Sequence, residues 1–378
     1  MLKKIPNVQY AEEFRKMNPK LNSTVSVVKI NDQILEFFLT NIRQQVRIKV
    51  KDNLILNIIS TLDGTKSVED IASEFNVSVA ELNALLNYLQ NKGILDNVTP
   101  KSDFSQYSKF RRVIHFLAEY SHSHDHLLTM WNNIRQSTVL IVGLGAVGSW
   151  VACNLAQSGV GTLLLMDGDI VELSNLHRQF GYTESDIGRK KIDVLADRLH
   201  DFNPEIHVLK KDLFLNEGSL HEFDTMPINL IINCADKPTV DATSLWVGEY
   251  CMQRKIPHII GGGYNLHLSL IGQTVLPGRS ACMKCFQKTL EEENRIDPSK
   301  VKKLLVKNRK VGSFGPMCSL IASMIGMEAI KVLSKEIMPA NLNRRGEFDI
   351  YNMDIKYKTY ERRDDCEWCG KHGKYCHP

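Results

Sequence analysis

Apolar positions first recur in short β-type runs. Residues 25–30 (VSVVKI), 34–38 (ILEFF) and 46–50 (VRIKV) are rich in β-branched and aromatic side chains and predict three strands. The period then lengthens. From Asp52, Leu54, Ile55, Ile58, Ile59 and Leu62 fall on one side of a helix that ends near Gly64. Ser67 with Asp70, and Ser78 with Glu81, predict capping boxes opening two more helices, the last ending at Gly93. Strands followed by three short helices predict a winged-helix α+β module over 25–98, after an N-terminal extension at 1–24. Residues 99–108, with Pro100 and several polar residues, predict a linker.

The pattern changes at Thr138. VLIVG (139–143), TLLLMD (162–167), LIINCAD (230–236) and HIIGGG (258–263) are continuous apolar runs, as parallel strands covered on both faces require. Helical stretches separate them, so residues 109–378 predict a doubly wound, Rossmann-like α/β domain.

A chain of 378 residues suits two domains, and a hydrophobic share of 43% with 24% charged residues suits a globular one. The net charge of +4 is too small to point to nucleic acid or an anionic membrane. No signal-peptide pattern opens the chain, and no apolar stretch approaches the roughly 20 residues that span a bilayer. A cytosolic location is expected. There, nine cysteines are better read as metal ligands and core residues than as a disulfide framework.

Gly143, Gly145 and Gly148 follow a strand and open a helix. They permit a tight turn that brings phosphates to backbone N–H groups at the helix's positive end. Asp167 ends the next strand 19 residues after Gly148, placed for a ribose. An NAD-dependent dehydrogenase would share this fingerprint, and a glycine turn can also serve packing alone. The residues downstream discriminate. Asp169 is followed by Asn175, Arg178, Gln179 and Lys191, too dense in cations and amides for a nicotinamide pocket but suited to a triphosphate. Asp236, ending a later strand, is placed to hold Mg²⁺. Singly, Lys191 reads as a solvated helix residue and Asp236 as a cap; in this order they read as one site.

Two C-x-x-C hooks, Cys282 with Cys285 and Cys366 with Cys369, supply four thiolates for tetrahedral structural zinc; buried free thiols are the plainer alternative. Cys376 is read as a bystander. The cluster His122, His124, Asp125 and His126 carries metal-type ligands but is read as a polar helix entry before Trp131.

From about Lys109 onward the chain resembles the E1-like adenylating superfamily, which includes ThiF, MoeB and microcin-C-type enzymes. The resemblance rests on GLGAVGS (143–149), DGDIVELSNLHRQ (167–179), the G-x-x-K ending at Lys191, the CAD ending at Asp236, MEAIK (327–331) and both hooks. It implies that Gly143, Gly145, Ala146 and Gly148 contact ATP and that Asp167 holds the ribose. Asn175, Arg178, Gln179 and Lys191 embrace the phosphates, and Asp236 binds Mg²⁺. KFRRVI (109–114) makes Arg112 the candidate arginine reaching the nucleotide across a homodimer.

Two departures stand out. The superfamily commonly places an arginine five positions after the magnesium aspartate; here that position is Asp241. The loop between Phe286 and Gly312 has no cysteine, and Cys318 reads as core, which favours direct use of an acyl-adenylate over a thioester relay.

A winged helix invites a DNA-binding reading, but residues 78–92 carry only Glu81 and Lys92, and the preceding helix carries Glu69, Asp70 and Glu74. The module resembles PqqD-like leader-recognition domains instead, which bind peptides by strand addition. Together the resemblances imply Mg-ATP-dependent adenylation of a carboxylate or amide oxygen on a ribosomally made precursor peptide. A peptide nucleophile then captures the adenylate, in the pantocin-like manner. Activation of a ubiquitin-like sulfur carrier is the main rival. A zinc-containing transcription regulator and an NAD-dependent oxidoreductase are the lesser ones.

Overall fold

The computed structural model describes residues 18–51, 53–96, 102–121, 123–265, 268–294 and 312–376. The chain divides into two compact units, Met1–Thr129 and Met130–Pro378.

In the first unit, β1 (Val25–Asn31), β2 (Ile34–Leu39) and β3 (Gln44–Lys49) form an antiparallel sheet in that order. Alternation decides what is buried: Leu35, Phe37 and Leu39 of the central strand all point into the core. The helices are α1 (Leu54–Ser60), α2 (Val68–Glu74) and α3 (Val79–Asn91). Both expected capping boxes form, with Ser67 accepting from the Asp70 N–H and Ser78 from the Glu81 N–H. Leu82, Leu86 and Leu89 line one face of α3 and join Ile58, Ile59 and Ile71 in one core. The expected helix start at Asp52 lies outside the described residues. Ser102–Phe110 forms a 3₁₀ segment, followed by α4 (Arg111–Ala118) and α5 (His124–Arg135). The latter begins at His124, as a polar helix entry should.

The second unit is built on a six-stranded sheet ordered β11-β8-β7-β4-β5-β6. Its strands are β4 (Thr138–Val142), β5 (Thr162–Met166), β6 (His207–Lys211), β7 (Leu230–Asn233), β8 (His258–Ile260) and β11 (Thr274–Val275). All pairings are parallel except β11 with β8. The apolar runs of β4, β5 and β7 are buried almost throughout. The surrounding helices include α6 (Gly148–Gln157), α7 (Lys191–Phe202), α8 (Val240–Arg254), α9 (Met283–Glu293) and α10 (Gly315–Ser334). A second, antiparallel sheet pairs β13 (Asp354–Thr359), β12 (Arg344–Asp349), β10 (Leu268–Ile271) and β9 (Tyr264–Asn265) in that order.

Helix α10 corrects the expectation that no apolar stretch reaches membrane length. It is 20 residues long with mean hydropathy 1.5, enough by length and composition to cross a bilayer. Its apolarity has a nearer cause: 61% of that stretch is buried within the fold, where the helix packs on α6 and β10. Met317, Ile321, Ile325 and Leu333 are core residues, and Cys318, read as core, is fully buried beside them.

Candidate active site and metal centre

The chain leaves β4 for β5 on one side and later returns to β7 on the other. The C-terminal ends of these strands therefore open a crevice at the topological switch point. Gly143 begins the turn after β4 with φ +88°. A Cβ there would lie 2.9 Å from the Cys234 carbonyl and the Ala235 nitrogen. At Gly148, which opens α6, a Cβ would lie 1.9 Å from the Gly143 oxygen. Both glycines are required by packing. Gly145 differs: a Cβ there meets nothing within 4 Å, because it faces a cavity of about 760 Å³.

That cavity brings together Gly143, Gly145, Ala146, Asp167, Asp169, Lys191 and Asp236. Asp167 is buried and ties the turn together: its Oδ2 accepts from the Leu144 N–H at 2.6 Å and its Oδ1 from the Asp169 N–H at 2.7 Å. Lys191 is buried at the start of α7, with Nζ 3.3 Å from Asp169 Oδ2. Asp236 is exposed at the rim and makes no hydrogen bond or ion pair with the described residues, which leaves its oxygens for a hard cation such as Mg²⁺.

The remaining expected residues lie elsewhere. Gly148 packs beneath the turn. Asn175 is buried in the following loop, where Oδ1 accepts from the Glu172 N–H at 3.1 Å. Arg178 Nη1 donates to the Ser174 carbonyl at 2.6 Å. Arg178 Nε and Gln179 Oε1 are buried with no hydrogen-bond partner among the described residues, a donor and an acceptor side by side in sequence. None of these lines the cavity. Arg112 is exposed on α4 in the first unit. Asp241 sits in the first turn of α8, where its charge acts on the half-buried Arg345.

The cavity also has walls that sequence reading missed. Lys237 and Phe214 line it, as do Gly261, Gly262 and Gly263. The triple glycine was legible as a strand end; its meaning is steric, since a Cβ on Gly261 would lie 2.0 Å from the Asn233 oxygen.

Away from this pocket, Cys282, Cys285, Cys366 and Cys369 are all buried, with their sulfurs within 4.8 Å of one another. Cys282 and Cys366 sulfurs are 3.5 Å apart, and those of Cys285 and Cys369 are 3.3 Å apart. Zinc with four bonds of about 2.3 Å separates its sulfurs by about 3.8 Å, so the donor set fits a closed tetrahedral site.

A doubly wound sheet with a glycine turn, a buried aspartate and a lysine–aspartate cluster at its switch point makes a crevice of the kind that binds nucleotides. The ThiF family model matches residues 124–368, and the chain belongs to the ThiF family of ATP-dependent adenylating enzymes. It is similar to the molybdopterin-synthase adenylyltransferase of Escherichia coli, with 29% identity over 63% of this chain and 89% of that protein. The sulfur carrier protein ThiS adenylyltransferase of E. coli is 31% identical over 62% of this chain and 86% of its own length. Among solved structures, E. coli MccB with AMPCPP and MccA superposes with a TM-score of 0.73 at 21% identity. That likeness covers 94% of this chain and all of MccB, and so extends the shared fold through most of the N-terminal unit.

Proposed function

We propose that the enzyme adenylates a carboxylate, or an amide oxygen, of a ribosomally made precursor peptide held by residues 25–98. The observation that carries this reading is the free sheet of the N-terminal unit. In the order β1-β2-β3 both outer strands lack an outside partner among the described residues, and β1 exposes Val28 and Ile30, about half exposed each. An open edge with apolar side chains suits an incoming extended peptide, which adds a strand through main-chain hydrogen bonds. MccB, a microcin C7 biosynthetic enzyme solved with N-formylated MccA, supports the peptide reading.

In the chemical step a peptide oxygen attacks the α-phosphorus of ATP, the bond to the β-phosphate breaks, and pyrophosphate departs. A nucleophile of the same peptide then attacks the activated carbon and AMP leaves, in the pantocin-like manner. Asp167 orients the ribose, Lys191 neutralises phosphate charge and Asp236 holds Mg²⁺, while Asn175, Arg178 and Gln179, outside the cavity in this structure, reach the phosphates only when their loop moves toward them. Arg112 of the partner subunit in a homodimer completes the phosphate site. The four cysteines hold structural zinc, and the enzyme works in the cytosol. Activation of a sulfur-carrier C-terminus is the second reading, favoured by the names of the two sequence relatives.

The test is a titration of the full-length protein with a labelled leader peptide from a neighbouring reading frame. Val28→Asp with Ile30→Asp should weaken leader binding and raise the peptide's KM while leaving ATP binding unchanged. A leader that binds both proteins equally, or neither, removes the peptide reading and leaves adenylation standing.

A further inference from the structure

We infer that Lys237 is a phosphate-binding cation of the nucleotide site. This deepens, and rests on, the adenylation reading. Lys237 follows Asp236 directly, and both residues line the cavity mouth. From there the lysine reaches across to the far wall, with Nζ 3.4 Å from each carboxylate oxygen of Asp169. Its ammonium also lies 5.8 Å from the centre of the Phe214 ring.

Asp169 therefore holds two lysines, Lys191 from the start of α7 and Lys237 from the loop after β7. The two ammonium groups share that one carboxylate, and Lys237 lies on the cavity lining beside Asp236, open to a polyphosphate in the crevice. Lys191 is nearly buried and fixed, whereas the Lys237 side chain is 71% exposed and free to turn. A polyphosphate carries several negative charges and outcompetes a single carboxylate for that mobile cation.

The consequence for the reaction is specific. As the peptide oxygen bonds to the α-phosphorus, the electron pair of the breaking bond leaves on pyrophosphate. The Lys237 ammonium stabilises that departing charge without transferring a proton.

The experiment compares full-length wild type, Lys237→Met and Lys237→Arg by calorimetric binding of Mg-ATP, pyrophosphate and AMP, with thermal melting as a control. Lys237→Met should weaken ATP and pyrophosphate binding about tenfold, the scale of one exposed charge-assisted contact, while AMP stays within about twofold. Lys237→Arg, which keeps the charge, should restore most of the loss. Because the side chain is exposed, melting should not change. Equal losses for ATP and AMP, or a loss that arginine does not rescue, would mark Lys237 as a structural partner of Asp169 and overturn the proposal. ATP binding untouched by Lys237→Met overturns it as well, with the adenylation reading intact. A wild type that binds no ATP overturns both.

Discussion

The two glycines of the nucleotide turn should fail in opposite ways. Gly148→Ala places a methyl carbon 1.9 Å from the Gly143 carbonyl oxygen, a backbone atom fixed beside Cys234 and Ala235. The carbonyl must retreat by more than about 1 Å, and overpacking of this kind costs about 1–3 kcal/mol or more. At about 2–4 °C per kcal/mol for a unit of this size, the melting midpoint should fall by roughly 2–12 °C. Gly145→Ala meets nothing within 4 Å and needs no left-handed backbone. Its stability should stay within about 0.5 kcal/mol of wild type. The added methyl nevertheless stands where a phosphate oxygen must come within about 3 Å of a backbone N–H. Losing such charge-assisted contacts costs about 1.5–3 kcal/mol, or about 10- to 150-fold in ATP affinity. Thermal melting and ATP titration of both variants decide the matter. A Gly145→Ala protein that binds ATP normally, or one that melts early, refutes this account of the turn.

Asp236→Ala should abolish ATP–pyrophosphate exchange in a protein that melts normally, because an exposed carboxylate with no partner among the described residues adds little to the fold and, as the proposed magnesium ligand, is needed for the reaction; near-normal turnover would remove it from the site. Metal analysis should find one zinc per chain, and Cys366→Ser should lose it and melt roughly 5–10 °C lower, on the scale of a lost cross-link, while the surviving folded enzyme keeps most of its adenylation rate. Buried Glu328 accepts from Thr274, Lys331 and the N–H groups of Ala340 and Asn341. Burial works to raise its pKa, but Lys331 and those N–H groups together hold it below the usual glutamate value. Its stabilisation is therefore complete above about pH 4.5 and lost as pH falls through the lower folded-state value. Glu328→Gln turns an amide toward the two N–H donors, so at pH 7 it should cost about 2–3 kcal/mol, and its deficit should shrink in an acid melting series.

What could be read in advance was whatever has a local physical cause. The capping boxes at Ser67 and Ser78 are decided within four residues, and both form. The strands ending at Val142, Met166 and Asn233 are buried on both faces, so their apolar runs announce them. By contrast β6 carries His207, Lys210 and Lys211 on a sheet edge, and β12 and β13 are largely polar. Pairing across the sheet makes these segments strands; their composition does not. Helix α10 shows the same limit from the other side, since its apolarity records burial against α6 and β10, a tertiary fact.

The candidate site divides along the same line. Asp167, Lys191 and Asp236 were legible because each follows or opens an element at a position where strand ends meet ligands. Lys237 was not, because position along the chain says little about reach. It adjoins Asp236 in sequence, yet its ammonium binds Asp169, 68 residues earlier, on the opposite wall. Counting five residues on from Asp236 finds an acid at Asp241 and suggests that a positive charge is missing. Long side chains make that inference unsafe. A lysine spans several ångströms, so a cation moved four places along the backbone can still serve the same pocket. What a polyphosphate selects is the charge at a point in space, and the backbone position that delivers it is free to change.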